Sequence, residues 1–172
     1  MDSDEIDAIV GQWRQERPDL DLPAMGLFGR MGRLMLLLEP QVEQVFTRHG
    51  LRRGEFDVLA ALRRSGPPYT LIPSELAETL MLSRAGMTNR LDRLEAAGLV
   101  ERALDPADRR SFRITLTGQG LQLADAAVTD HAANLTRLAS CLGMEDAAQL
   151  DRILRTMLAS VARPDRRARG SG

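Results

Sequence analysis

PSELAETLMLSRAGMTNRLDRLEAAGLVERALDPADRRSFRITLT, residues 73–117, is the stretch that decides the fold. PSELAETL (73–80) reads as a short helix, MLS (81–83) as a tight turn and RAGMTNRLDRLEAAG (84–98) as a second helix. LVERAL (99–104) and SFRITL (111–116) then read as two strands around the charged tip DPADRR (105–110). Ser83 can cap free backbone N–H groups at the start of the second helix, and Gly98 can take the left-handed conformation just past its end. Met87, Leu91 and Leu94 recur at spacings that keep them on one side, while Arg84, Thr88, Asn89 and Arg93 present polar groups elsewhere. One face packs and another is free to read. The order of helix, turn, helix and hairpin is that of a winged helix-turn-helix, whose usual partner is duplex DNA.

The polar residues at the start of the second helix are of the kinds that read base edges. Arg84 and Arg93 can grip guanine, Asn89 can pair with adenine, and the methyls of Ala85 and Thr88 can touch thymine, with Ser83 at the helix start. At the hairpin tip, opened by the turn-forming pair Asp105-Pro106, Arg109 and Arg110 can extend into a neighbouring minor groove, and Asp108 can orient one of them. The competing reading of the segment is a winged-helix module used for protein contacts, with its charges merely solvated.

Composition limits how such binding can work. The chain has 172 residues, 44% hydrophobic and 27% charged, enough for one domain with a substantial core. Its formal net charge of -1 argues against an all-over cationic surface, so DNA binding requires a local patch. From Ser83 to Arg113 there are seven Arg and five acidic residues, and geometry must separate them. No apolar run approaches the roughly 18 residues of a membrane span, and the acidic N-terminus MDSDEIDAIV lacks secretory features. A cytoplasmic protein, nucleoid-associated when bound to DNA, is expected. There is no metal-ligand cluster and no phosphate-cradling glycine loop, and the two histidines are far apart, so neither an enzyme nor a cofactor is predicted. Cys141 cannot form an internal disulfide and, lying among Leu138, Leu142 and other apolar residues, reads as a buried structural thiol.

Outside the central segment the chain reads as helices. Phe28, Met31, Met35, Leu38, Val42 and Val45 alternate three and four apart along a long helix from Ala24 to His49, started by Pro23, bent by Pro40 and ended by Gly50. A shorter helix covers Glu55 to Arg64, and Tyr69 to Leu71 can add a third strand to the wing. Thr117 can cap a helix reaching about Leu142. Gly143 separates it from a last helix, Glu145 to Ala162, whose Leu150, Ile153, Leu154, Met157, Leu158 and Val161 form a stripe that needs a partner surface. Terminal helices around a reading module predict a homodimer matched to a palindromic operator. The fold class is therefore mainly α with a small β-wing. N-terminal helices cover 1–50, the winged helix-turn-helix 51–117, dimerisation helices 118–163, and a disordered basic tail 164–172.

This arrangement resembles the MarR family of bacterial transcriptional regulators over nearly the whole chain, with DPADRR and LTGQG (116–120) close to the family's wing and following helix. The resemblance implies a homodimer whose DNA affinity falls when a small, often anionic or aromatic ligand binds between its domains. One departure is Ile72, where a Thr or Ser cap is usual at the start of the first motif helix, leaving Ser74 as a partial substitute.

A narrower resemblance, to the urate-responsive branch that includes PecS-like and trans-aconitate-responsive regulators, rests on four residues. They are Trp13 on an extra N-terminal helix, IDAIVGQW (6–13), Asp57 in GEFDVLAAL, Arg90 in GMTNRLDRL and Arg102 in GLVERAL; RPDLDLPAM (17–25) is similar to a PecS-like segment. Each also has a plainer reading. Trp13 completes an apolar spacing with Ile6, Ile9 and Val10, Asp57 can pair with Arg53, Arg90 can touch phosphate, and Arg102 can be a strand-surface charge. With these four as a ligand site, as the resemblance implies, Arg90 is expected to be tied to Asp57 without ligand, and a planar anion such as urate, or alternatively a carboxylate such as trans-aconitate or citrate, to be held by Arg90 and Arg102 beside Trp13. It also likens His131 to a histidine that faces its copy across a dimer, a possible pH sensor; the plainer reading is an exposed histidine.

Overall fold

Pro23 opens the longest helix of the computed structural model, which describes residues 3–80, 84–105 and 112–162, apart from the side chains of residues 84 and 85. The helix preceding it, α1 (Glu5–Glu16), starts at Asp4, whose Oδ1 accepts the N–H groups of Ile6 and Asp7, both at 2.9 Å. α2 (Pro23–Arg48) runs through Pro40 and ends at Gly50, which has φ +69°. α1 lies along α2, with the Ile6 side chain over Gly29, and Arg30 of α2 reaching back to Asp4 at 2.7 Å and Asp7 at 2.5 Å.

α3 (Arg53–Arg64) leads to strand β1 (Thr70–Leu71) and then to the two motif helices, α4 (Pro73–Thr79) and α5 (Arg84–Ala96). The wing strands β2 (Val100–Leu104) and β3 (Phe112–Leu116) follow, and the sheet is antiparallel in the order β1-β3-β2, with Thr70 opposite Thr115 and Arg102 opposite Ile114. The expected third wing strand is present. At the start of α4 the expected substitution by Ser74 is not what the structure uses. Ile72 occupies the cap, and the Glu75 carboxylate accepts its N–H at 2.9 Å, since a carboxylate three residues into a helix can reach back.

α6 (Gly118–Ala139) begins as expected at Thr117. The Thr117 hydroxyl accepts the Gly120 N–H at 2.9 Å and donates to the Gly98 carbonyl at 2.8 Å, fastening the end of α5 to the start of α6. Gly98 has φ +69°, the left-handed cap its position requires. α7 (Met144–Val161) is the last of the described elements.

Two units are distinguishable, Met1–Asn134 and Leu135–Gly172. In the first, Val58, Leu59 and Leu62 of α3 meet Leu76 of α4, Met87, Leu91 and Leu94 of α5, Ile114 of β3, and Ala124 and Ala127 of α6 in a buried core. Each large apolar side chain there contributes about 1.5–3 kcal/mol of burial. In the second, α7 has no buried residue, and Leu150, Ile153, Leu154, Leu158 and Val161 are exposed on the single chain. The long stripe on α2 divides. Val42, Val45 and Phe46 are buried, whereas Phe28 and Met35 are 59% and 60% exposed. No helix among the described residues is long and apolar enough to cross a membrane.

The expected buried thiol is corrected. Cys141 is exposed, just past the end of α6, because apolar neighbours in sequence bury a side chain only where another element covers them. The turn at 81–83, the tip from Pro106 to Ser111 and the tail from residue 163, including Ser83, Asp108, Arg109 and Arg110, lie outside the described residues.

Candidate functional site

The second motif helix presents the two faces its sequence predicts. Met87, Leu91 and Leu94 are buried to 3% exposure or less, while Thr88, Asn89, Asp92 and Arg93 are exposed. Thr88 and Asn89 thus lie on the accessible side of the first turns of α5. Arg84 and Ala85 are in the first turn of this helix.

Ion pairs hold this helix to its neighbours. Arg93, expected among the base readers, is engaged within the protein, its Nε meeting the Glu55 carboxylate of α3 at 2.7 Å while the side chain stays half exposed. Arg102 of β2 is likewise engaged. It reaches Asp92 at 2.5 Å and Glu95 at 3.1 Å, both on α5, and its side chain is only 24% exposed. At the far end of β2, buried Asp105 meets Arg113 of β3 at 3.2 Å.

Asp57 sits half-buried on α3. Burial pushes its carboxyl up from the ordinary value, and the cations of Arg53, Arg90 and Arg64, then His131, pull it back. The expected direct tie between Asp57 and Arg90 is absent: no ion pair or hydrogen bond joins them among the described residues, and Arg90 acts on Asp57 through space. The Arg90 guanidinium is placed instead against Gly54, one turn before Asp57, in the space a Cβ would occupy. Arg53, the partner expected for Asp57 four residues on, faces Glu39 at 3.9 Å instead.

Next to this pair is an aromatic cluster that sequence reasoning missed. Phe46 of α2 and Phe56 of α3 stack at 4.3 Å between ring centroids, and the His131 ring of α6 packs on both, at 5.2 and 5.1 Å. His131 is therefore not the solvent-exposed histidine of the plainer reading. Its Nδ1 is buried with no hydrogen-bond partner among the described residues. Burial first, then the Arg53 cation, lowers its pKa, and the Asp57 carboxylate opposes them. His49 ends α2 and meets Asp130 of α6 at 2.9 Å.

Trp13 is brought to none of these groups. It lies on α1, the residue 44% exposed, and no hydrogen bond, ion pair or ring contact among the described residues joins it to Asp57, Arg90 or Arg102. The described residues contain no cluster of His, Cys, Asp and Glu able to hold a metal ion.

Comparison with known proteins matches this architecture. A sequence model described as the MarR family matches residues 49–111, the span from the end of α2 to the wing tip. The chain is 41% identical to the HTH-type transcriptional regulator PecS of Dickeya dadantii over 150 residues, covering 87% of this chain and 90% of that protein. The crystal structure of AbsC, a MarR family transcriptional regulator from Streptomyces coelicolor, is 25% identical and superposes with a TM-score of 0.74 over 83% of this chain and 96% of AbsC. The MepR–DNA complex from S. aureus, also 25% identical, superposes with a TM-score of 0.66 over 78% of this chain and 95% of MepR. The chain belongs to the MarR family, and it is a DNA-binding transcriptional regulator rather than an enzyme.

Proposed function

We propose that the protein is a homodimeric cytoplasmic repressor released from a palindromic operator by a small planar anion such as urate. The observation that carries the ligand reading is the charge balance around Asp57. A half-buried carboxylate, already disfavoured by burial, shares its surroundings with Arg90 of the recognition helix and with Arg53 and Arg64 of α3. An anion drawn to these cations displaces or repels Asp57, and Arg90 carries the disturbance into α5. Arg102 enters the same scheme with a cost. To hold a ligand it must leave Asp92 and Glu95, and leaving them loosens the grip of β2 on α5. Ligand capture and loss of the DNA-competent helix position thereby become one event, which is what coupling requires. Trp13 shields the ligand in this reading.

The dimer is supported by unpartnered apolar surface. Phe28, Leu34, Met35 and Leu36 on α2, and Leu150, Ile153 and Leu158 on α7, are exposed on the single chain, far more than scattered surface hydrophobics explain. Ser83, Arg84, Ala85, Thr88 and Asn89 would read bases in the major groove, with Arg109 and Arg110 of the wing in the minor groove.

Fluorescence anisotropy on the protein's own upstream duplex, titrated with urate and with trans-aconitate, tests this. Urate should weaken specific binding by about 5- to 150-fold, the usual range of allosteric coupling, and Asp57→Asn should remove most of that response. Release by trans-aconitate alone would move the ligand to the carboxylates. An undiminished urate response in Asp57→Asn would end the role of Asp57.

The second reading, regulation by pH, is favoured by the buried Nδ1 of His131. Its folded pKa lies below the ordinary 6.5, so the unfolded chain takes up the proton first. The stability tied to neutral His131 is thus full above about pH 6.5 and drains away as the pH falls toward the folded value. Asp57 runs the other way. Raised from 3.8, it contributes most below that value and loses its contribution as the pH climbs through its folded pKa. The midpoint of thermal unfolding should drop from pH 7 to pH 5, and His131→Asn should flatten the upper part of that drop. Superimposable pH profiles for the two proteins would dismiss His131 as a sensor.

A further inference from the structure

Glu55 is one of two buried charged or polar side chains among the described residues, and both of its carboxylate oxygens are used. A carboxylate withdrawn from water has to be paired. Oε2 accepts the Arg52 N–H at 2.8 Å and so closes the start of α3, while Oε1 faces Nε of Arg93 at 2.7 Å. One buried group therefore joins the α3 N-terminus to the last turn of the recognition helix.

The remaining contacts show why such a join matters. The packed face of α5 is Met87, Leu91 and Leu94, and apolar packing of this kind is not directional. Flexible Met and Leu side chains leave a helix some freedom to roll about its axis. An ion pair with a fixed nitrogen-to-oxygen approach removes that freedom. Arg93 lies four residues after Asn89, on the same strip of the helix, so the azimuth that Glu55 imposes on Arg93 is also the azimuth of Asn89. On the other flank, Arg102 binds Asp92 and Glu95. Positions 92, 93 and 95 thus hold α5 from two elements, the Glu55 carboxylate being the buried group on one side and Arg102 Nε on the other.

We infer that Glu55 is a positioning residue for DNA reading, acting through Arg93 to set the roll of the recognition helix. This rests on the DNA-binding reading and adds a residue to it. The Arg93 side chain is 45% exposed and screened, so the attraction itself is modest, and the pair matters for keeping the buried Glu55 carboxylate matched and for holding a direction.

The competing role for Arg93 is direct contact with DNA, and one variant separates the two. Glu55→Gln keeps an oxygen to accept the Arg52 N–H and removes the charge that holds Arg93. Binding is measured by anisotropy on a duplex selected from a random pool by the unmutated protein, and on a scrambled duplex, across a range of salt. If Glu55 positions the helix, Glu55→Gln loses about tenfold in affinity for the selected duplex. Its binding to the scrambled duplex and its salt slope stay as they were, because no phosphate contact has changed. If Arg93 is instead a DNA contact held back by Glu55, the same variant binds both duplexes as well or better and its salt slope steepens by about one unit, which overturns the inference.

Arg93→Gln guards against a Glu55 variant that fails to fold, since it changes a half-exposed side chain and leaves the α3 cap intact. It should show the same selective loss, and Glu55→Gln with Arg93→Gln together should lose no more than either alone. Losses that multiply would show two independent roles and overturn the inference. Failure of the unmutated protein to select any duplex would remove the DNA-binding reading and this inference with it, a result read before any variant is made.

Discussion

Gly120→Ala should lower the thermal unfolding midpoint more than any other single-methyl change near the wing, at a cost of about 3 kcal/mol, the upper part of the overpacking range. A Cβ at Gly120 would overlap the backbone carbonyl oxygen of Leu99. No rotamer change relieves that contact, because the obstacle is main chain. The surroundings are fixed as well. The Leu99 carbonyl accepts the Thr117 N–H at 3.1 Å, Gly120 donates to the Thr117 hydroxyl at 2.9 Å, and that hydroxyl donates to Gly98 at 2.8 Å. Moving the start of α6 away from Leu99 strains all three bonds at the junction of α5, β2 and α6. The better helix propensity of alanine returns only about 1 kcal/mol. For a chain of this size the net cost of about 2 kcal/mol corresponds to a drop of roughly 4–8 °C. Circular dichroism at fixed protein concentration reads it, with Gly118→Ala as control, since a Cβ there meets nothing within 4 Å. A midpoint within a degree of the unmutated protein would show that the α5–α6 junction yields more readily than its hydrogen bonds imply.

That junction was legible in the sequence because its signals are local. Gly98 past the end of an amphipathic run, and Thr117 ahead of the next, are cap residues whose chemistry depends on neighbours a few positions away, and both do in the structure what their positions require. The wing strands were legible for the same reason. What could not be read was which long side chain spends its charge on which partner. Arg93 reads as a free cation on a polar face until α3 is folded beside it, and Arg102 reads as a strand-surface charge until α5 supplies two carboxylates. Cys141 failed in the other direction, since apolar neighbours in sequence say nothing of whether a second element covers them.

Glu55 could have been found. It occupies the same strip of α3 as Val58, Leu59 and Leu62, spaced three, four and seven residues on, and these are all fully buried. A carboxylate set into an apolar stripe demands a cation from another element. His131 offered a weaker hint, because a histidine between Ala127 and Leu135 could face either way, and only the stacked Phe46 and Phe56 rings decide that it turns inward.

Gly54→Ala should leave the protein as stable as before, or slightly more so, while abolishing most of the response to an anion that the proposed function expects. The added Cβ falls where the Arg90 guanidinium now lies, and the obstacle here is the far end of a flexible side chain. Arg90 can swing away at small cost, and replacing glycine by alanine inside α3 returns about 1 kcal/mol of helix propensity. The functional cost is separate. Arg90 ranks behind Arg53 among the cations that hold down the Asp57 carboxyl, and it is the one carried by the recognition helix. With Arg90 displaced, Asp57 becomes still harder to ionise, and an anion in that space no longer pulls on α5. The release expected of the unmutated protein, about 5- to 150-fold, should shrink to near nothing, with specific DNA affinity in the absence of effector largely retained. Anisotropy with and without urate, or whichever anion proves active, measures both quantities in one titration series. The opposite pattern, weakened DNA binding with an intact effector response, would mean that Arg90 meets a phosphate and that Gly54 gives it room to reach the duplex. The two outcomes separate cleanly because Gly54 itself contributes no side chain to either ligand.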